Sequence, residues 1–202
     1  MIHIESISDK ITNSYILRGY IDKDKKDIYN YGFKLIISDI VNIIIVFSIG
    51  CLLRQFVNSI VFLLSFSFIR MFSGGFHAKT FGLCRCSLLS ITLSILLITR
   101  RIYVYSVKVI PIIIFMDVVS LIVISIMAPV KHPNKVISEK MRRINKIKAI
   151  VSATVQSIIS IFLIVLGREE GLVIFFTLLA VVILMIIGYI LQRGGKYYGN
   201  MV

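Results

Sequence analysis

His77 and Cys84 stand seven positions apart in the stretch RMFSGGFHAKTFGLCR, residues 70–85. A thiol beside an imidazole is the minimal equipment for nucleophilic acyl transfer. The ring removes the thiol proton and the thiolate attacks a carbonyl carbon. On one unbroken helix this spacing shares a face but leaves about 10.5 Å of rise, far beyond a hydrogen bond. Cooperation therefore requires a break between the two, and Gly82 offers one, while Gly74 and Gly75 loosen the approach. Arg70, Lys79 and Arg85 supply positive charge that would favour the thiolate. Glycine backbone N–H groups could form an oxyanion hole. A metal site built from His77, Cys84 and Cys86 is not expected, because a fourth ligand is missing and the spacing fits no common zinc pattern. Taken by spacing alone, the pair could equally be two unrelated residues of a connection.

The elements that must hold this stretch are set by hydropathy. Of the 202 residues, 57% are apolar and 16% charged, and the mean hydropathy is +0.92. A soluble globule, a disordered chain and a disulfide scaffold are all excluded by this composition and by three cysteines. Six windows approach the length needed to cross a bilayer: 35–53, 55–69, 86–99, 109–128, 149–166 and 171–191. Uniformly apolar spans must satisfy their own backbone groups, so the expected fold is all-α, a polytopic integral membrane protein forming a single domain. The windows 55–69 and 86–99 give only about 21–23 Å at 1.5 Å per residue, against a hydrocarbon core of about 30 Å. They could cross with snorkelling arginines or fold back, so four to six crossings are expected. Either way the stretch 70–85 should lie at the headgroup plane.

The net charge of +13 points in such a chain to cytoplasmic loops and not first to a nucleic acid. Lys and Arg gather in the arm 1–34, the stretch 70–85, the segment 131–148 and the tail, leaving Arg54, Arg100, Arg101, Lys108 and Arg168 opposite. The positive-inside rule therefore puts both termini and the His77–Cys84 stretch in the cytoplasm, with no cleaved signal peptide. In the arm, Ile4, Ile7, Ile11 and Tyr15 recur at helical spacing, predicting an interfacial amphipathic helix. The segment 131–148 has one acid among seven bases, anchoring its neighbours and able to attract an acidic partner or anionic lipid. Asp117 stands mid-span, where a carboxyl is expected to pack neutral or face a partner. Asp39, Asn42, Asn58 and Gln156 are expected to hydrogen-bond between helices. Cys51 reads as a small apolar residue.

Arg70, Gly74-Gly75, His77-Ala78 and Cys84 together resemble the signature of the accessory gene regulator B (AgrB) family, membrane cysteine endopeptidases of Gram-positive quorum-sensing systems. The pattern R-x-x-x-G-G-x-H-A-x-x-x-x-x-C is matched at every fixed position. The resemblance implies that Cys84 is the nucleophile and His77 the general base and later acid. It implies that Arg70 and Gly75, with Gly74 beside it, shape the site, and that no cofactor is needed. The implied substrate is a small AgrD-like propeptide with an amphipathic helix on the inner leaflet and an acidic C-terminal tail. Cys84 would cleave before the tail, and a Cys or Ser of the peptide would release a thiolactone or lactone ring. The implied location is the bacterial cytoplasmic membrane, with a homodimer suggested by the family although no small-xxx-small motif dominates a span. The competing expectations are a small peptide exporter, which should show paired broken helices and more intramembrane charge, and a non-enzymatic membrane partner, for which Cys84 would be dispensable.

Overall fold

The computed structural model of the chain describes residues 4–74, 81–103, 106–130 and 138–193. Gly75 and His77 lie outside the described residues, as does 131–137 of the basic segment. Seven α-helices are described: α1 Ile4–Leu17, α2 Lys26–Leu52, α3 Phe56–Ser73, α4 Phe81–Ile102, α5 Ser106–Met127, α6 Glu139–Val165 and α7 Glu169–Arg193. No strand occurs among the described residues. The last six helices are long and apolar enough to cross a membrane. The protein is thus an all-α polytopic membrane protein with an N-terminal amphipathic helix.

The two short windows lengthen into full helices. α3 has 18 residues and α4 has 22, or about 27 and 33 Å at 1.5 Å per residue. Their apolar windows looked short because α4 continues through polar Cys84, Arg85, Arg100 and Arg101 at its two ends. Long arginine stems can lie along an apolar surface while the guanidinium reaches water, so the polar ends need not shorten the crossing.

Contacts divide the chain into residues 1–46 and 47–202. In the first unit, α1 folds against the start of α2. The Ser8 hydroxyl donates to the Asn30 backbone carbonyl at 3.0 Å, the Asn30 amide donates to Asp9, and the Tyr15 and Phe33 rings lie 5.6 Å apart. The buried face of α1 is therefore Ile4, Ser8 and Thr12, while Ile7 and Tyr15 stay exposed. Of the stripe read from the sequence, Ile4 is buried, Ile11 half-buried, Ile7 exposed, and Tyr15 exposed with its ring beside Phe33. Short hydroxyls let the two helices approach, and their hydrogen bonds offset the burial.

The second unit is built around α7. In that helix 61% of the membrane-length window is buried, against 33% or less in every other span. A helix apolar on all sides belongs at the centre of a bundle, and α7 packs against α3, α4, α5 and α6. One apolar cluster joins Ile69 of α3, Ile124 of α5, Ala149 and Ala153 of α6, and Leu178, Val181 and Met185 of α7. A second, toward the other end, joins Ile113, Ile164, Leu172 and Phe175. Without a hydrophobic force between helices in lipid, close approach and polar contacts must carry the association. At Gly171 a Cβ would stand 2.6 Å from the Ser160 carbonyl oxygen, so only glycine permits this α6–α7 distance. The Ser160 hydroxyl then donates to the Gly171 carbonyl at 2.8 Å.

Gln156 performs the interhelical bonding expected of it. It lies 2.6 Å through Oε1 from the Ser65 hydroxyl of α3, and its amide donates to the Ser65 carbonyl at 3.3 Å. The other polar residues behave differently. Asn58 donates to Gln55, its neighbour three positions back, and Asp39 is exposed on α2. Helix pitch alone could not reveal which face of α2 or α3 meets a neighbour.

Candidate active site

The stretch carrying the motif is not one loop. Arg70 to Ser73 form the last turn of α3, and Phe81 to Arg85 form the start of α4. α4 runs unbroken through Gly82, so Gly82 is not the break between His77 and Cys84. Cys84 sits in the first turn of α4, half-buried, with Cys86 exposed further on. A helix start concentrates amide N–H groups that no helical carbonyl accepts, and their partial positive charge favours an anion there. Arg85 adds a cation at the same turn, its Nε buried and without a hydrogen-bond partner among the described residues.

The exit from α3 is held in three ways. Gly74 caps the helix with φ of +66°, a left-handed conformation in which a side chain is strained. The Arg70 guanidinium folds back and donates from Nη1 to the Gly74 carbonyl at 2.8 Å. The Val130 N–H, beyond the end of α5, donates to the Ser73 carbonyl at 3.0 Å. A Cβ at Gly74 would stand 2.9 Å from the Val130 carbonyl oxygen, so the first glycine of the pair is also a close-approach residue. The carbonyls orphaned at the α3 end thus gain partners from a side chain and from a second connection.

That second connection leads into the basic segment, and most of it is helical. Ser138 caps α6, its hydroxyl accepting from the Met141 N–H at 3.4 Å, so Lys140, Arg142, Arg143, Lys146 and Lys148 lie on the opening turns of α6. Arg142 pairs with Glu139 at 3.9 Å, and Lys140, Arg143, Lys146 and Lys148 are exposed. Lys148 Nζ lies 5.4 Å from the centre of the Phe72 ring, two residues before Gly74. Cation and ring at this distance attract one another. The basic turns and the motif therefore occupy one end of the same unit. The structure joins Arg70 to Gly74 by a hydrogen bond, and sequence reasoning missed Ser73, Val130 and the Phe72–Lys148 pair. The glycine pair was the only signal of a close approach, and it did not name the partner.

Comparison with known proteins gives the family. The model of the accessory gene regulator B family matches residues 4–192. This chain belongs to the AgrB family. The accessory gene regulator protein B of Staphylococcus saprophyticus is 30% identical over 162 residues, covering 79% of this chain and 82% of that one. A protein of Clostridium perfringens described as AgrB-like is 34% identical over 92 residues, 46% of this chain. That match spans 42% of the clostridial protein's length. No solved structure matches. The AgrB match takes in every described helix and the whole motif, apart from the final residue of α7.

Proposed function

We propose that this AgrB-family protein is a membrane cysteine endopeptidase of a quorum-sensing system, trimming and cyclising a small signal-peptide precursor of the AgrD type. The observation that carries this reading is the complete R-x-x-x-G-G-x-H-A-x-x-x-x-x-C pattern laid across the α3–α4 connection, with Cys84 in the opening turn of α4. His77 removes the Cys84 proton, and the thiolate attacks the carbonyl of the bond preceding the acidic tail. A new C–S bond forms, the C–N bond breaks, and the proton returns from His77 to the departing amine. The upstream peptide is then held as a thioester. A Cys or Ser within it loses its own proton to His77 and attacks the thioester carbonyl, closing the ring and expelling the Cys84 thiolate.

Exchange of a thioester for a thiolactone changes bond energy little, so the ring forms only where water is kept from the acyl-enzyme. A site at the membrane edge supports that requirement. Confinement of the amphipathic precursor to one leaflet raises its effective concentration. Arg70 and Gly74 fix the exit of α3, and Gly75 completes the glycine pair ahead of His77. The exposed cations on the opening turns of α6 stand at the end of the bundle that carries Cys84, where they would attract an acidic tail. With both termini and the motif on the cytoplasmic face, the site meets a newly made precursor. Co-expression with a precursor, followed by mass spectrometry of both products, tests the reading. Cys84→Ala should abolish cleavage while the protein still inserts; cleavage retained by the variant contradicts it.

A further inference from the structure

Asp117 takes no part in the chemistry above, yet it is the least affordable side chain in the bundle. Its carboxyl is 2% exposed, and neither oxygen has a hydrogen-bond partner among the described residues. Its depth follows from the apolar clusters. Ile113 of α5 packs with Ile164 of α6 in one, while Ile124 packs with Ala149 and Ala153 in the other. The two helices therefore run antiparallel, and the layer between the clusters is fixed. Asp117 lies one turn from Ile113, and Ser160 and Ser157 lie one and two turns from Ile164 in the same direction. The offset between Asp117 and Ser157 along the axis is about 4.5 Å.

This layer is polar. Ser120, Ser157, Ser160 and Thr177 are all buried within it, on the three mutually packed helices α5, α6 and α7. The hydroxyls of Ser120, Ser160 and Thr177 donate to backbone carbonyls of Met116, Gly171 and Val173. The Ser157 hydroxyl is buried with no partner among the described residues. So is that of Thr99 on α4, one turn from Ile102, which packs on the cluster of Ile113 and Ile164. The orphan hydroxyl of Ser157 on α6 therefore lies within one turn of the orphan carboxyl on α5, the helix it packs against.

Among the described residues no cation bonds to the Asp117 carboxyl, and Arg100, the nearest beyond the apolar span of α4, turns to the Leu53 carbonyl. The apolar spans of α3, α4, α6 and α7, residues 56–69, 86–99, 149–165 and 171–191, contain no Lys, Arg, His, Asp or Glu. An intramembrane carboxylate needs a counter-charge, and oxygen donors from carboxyl and hydroxyl groups suit a small hard cation. We propose that Asp117 and Ser157 form an intramembrane site for one monovalent cation, either Na⁺ or a proton. Occupancy removes the unpaired charge from the layer joining the two apolar clusters, so it stabilises the bundle.

The test uses the full chain in lipid nanodiscs, with thermal midpoints taken in NaCl and in choline chloride at matched ionic strength, at pH 6 and pH 9. A Na⁺ site raises the midpoint by several degrees in NaCl at pH 9. A proton site raises it on going from pH 9 to pH 6, with no difference between the salts. Either response should vanish in Asp117→Asn, whose amide is neutral and of the same shape. Ser157→Ala keeps the carboxyl and should move the Na⁺ or pH midpoint of the response, which guards against a misfolded Asn variant. A wild type insensitive to both, or one whose response both variants retain unchanged, overturns the proposal.

Discussion

In the proposed mechanism Cys84 and His77 divide the labour of one proton and one carbonyl, so their variants should fail differently. Cys84→Ala removes the nucleophile and should leave uncut precursor. His77→Gln removes the base, and because a positioned general base contributes about 10²–10⁴-fold, cleavage should fall by that order while Cys84 still reacts with iodoacetamide. Equal alkylation and unimpaired cleavage in His77→Gln would remove the histidine from the mechanism. At Gly74 the argument is steric. An alanine there is held at φ +66° and ψ −148°, a region almost confined to glycine, costing about 1–3 kcal/mol, and its Cβ meets the Val130 carbonyl oxygen at 2.9 Å. Gly74→Ala should lower both the melting temperature and precursor cleavage, because it displaces the exit of α3. Cleavage at the wild-type rate would show that the α3 exit is not part of the site.

At the scale of elements, the sequence was most informative where apolar runs were long. The spans that became α5 and α7 were legible because the windows 109–128 and 171–191 hold long apolar runs, whereas the window in α4 fell short because Cys84-Arg85 and Arg100-Arg101 stand at the two ends of the helix. Polar residues with a catalytic task and residues of a lipid anchor look alike in a hydropathy window. The orientation of α1 was legible only in part for a related reason. Its isoleucine repeat gave the helix, but Ser8 is buried through a hydrogen bond to Asn30 of α2 and Thr12 through one to the Ser8 carbonyl of its own helix, neither of which periodicity encodes. Two predictions belong to elements. Gln156→Ala removes the α3–α6 bonds to Ser65, and since interhelical bonds in membranes average about 0.6 kcal/mol and reach about 1.7, a loss near the upper value is expected by thermal unfolding. No change would mean that the pair adds nothing beyond packing. Charge reversal at Lys140, Arg142 and Arg143 should slow processing without changing Cys84 alkylation; an unchanged processing rate would free the opening of α6 from any role with the tail.

For the whole molecule, six helices are long and apolar enough to cross a membrane, and the second unit, residues 47–202, is a helical bundle. α7 fills its centre, and α3 and α6 are locked by the Ser65–Gln156 pair. The junction of the α3 exit with Val130 and Lys148 then brings the motif and the basic turns to the same end. Motif and layout were readable from the residues themselves, since Arg70, the glycine pair, His77 and Cys84 are fixed in spacing and the spans in hydropathy. The long-range contact of Ser73 with Val130 was not, because two backbone groups from distant connections leave no trace in side-chain type. The central claim is that Cys84 carries the peptide as a thioester. Intact-mass spectrometry of the protein co-expressed with its precursor measures this directly. A hydroxylamine-labile adduct equal to the upstream peptide without its tail, mapped to Cys84 and absent in Cys84→Ala, is the predicted result. A tail released with equal yield by the Cys84→Ala protein would contradict it.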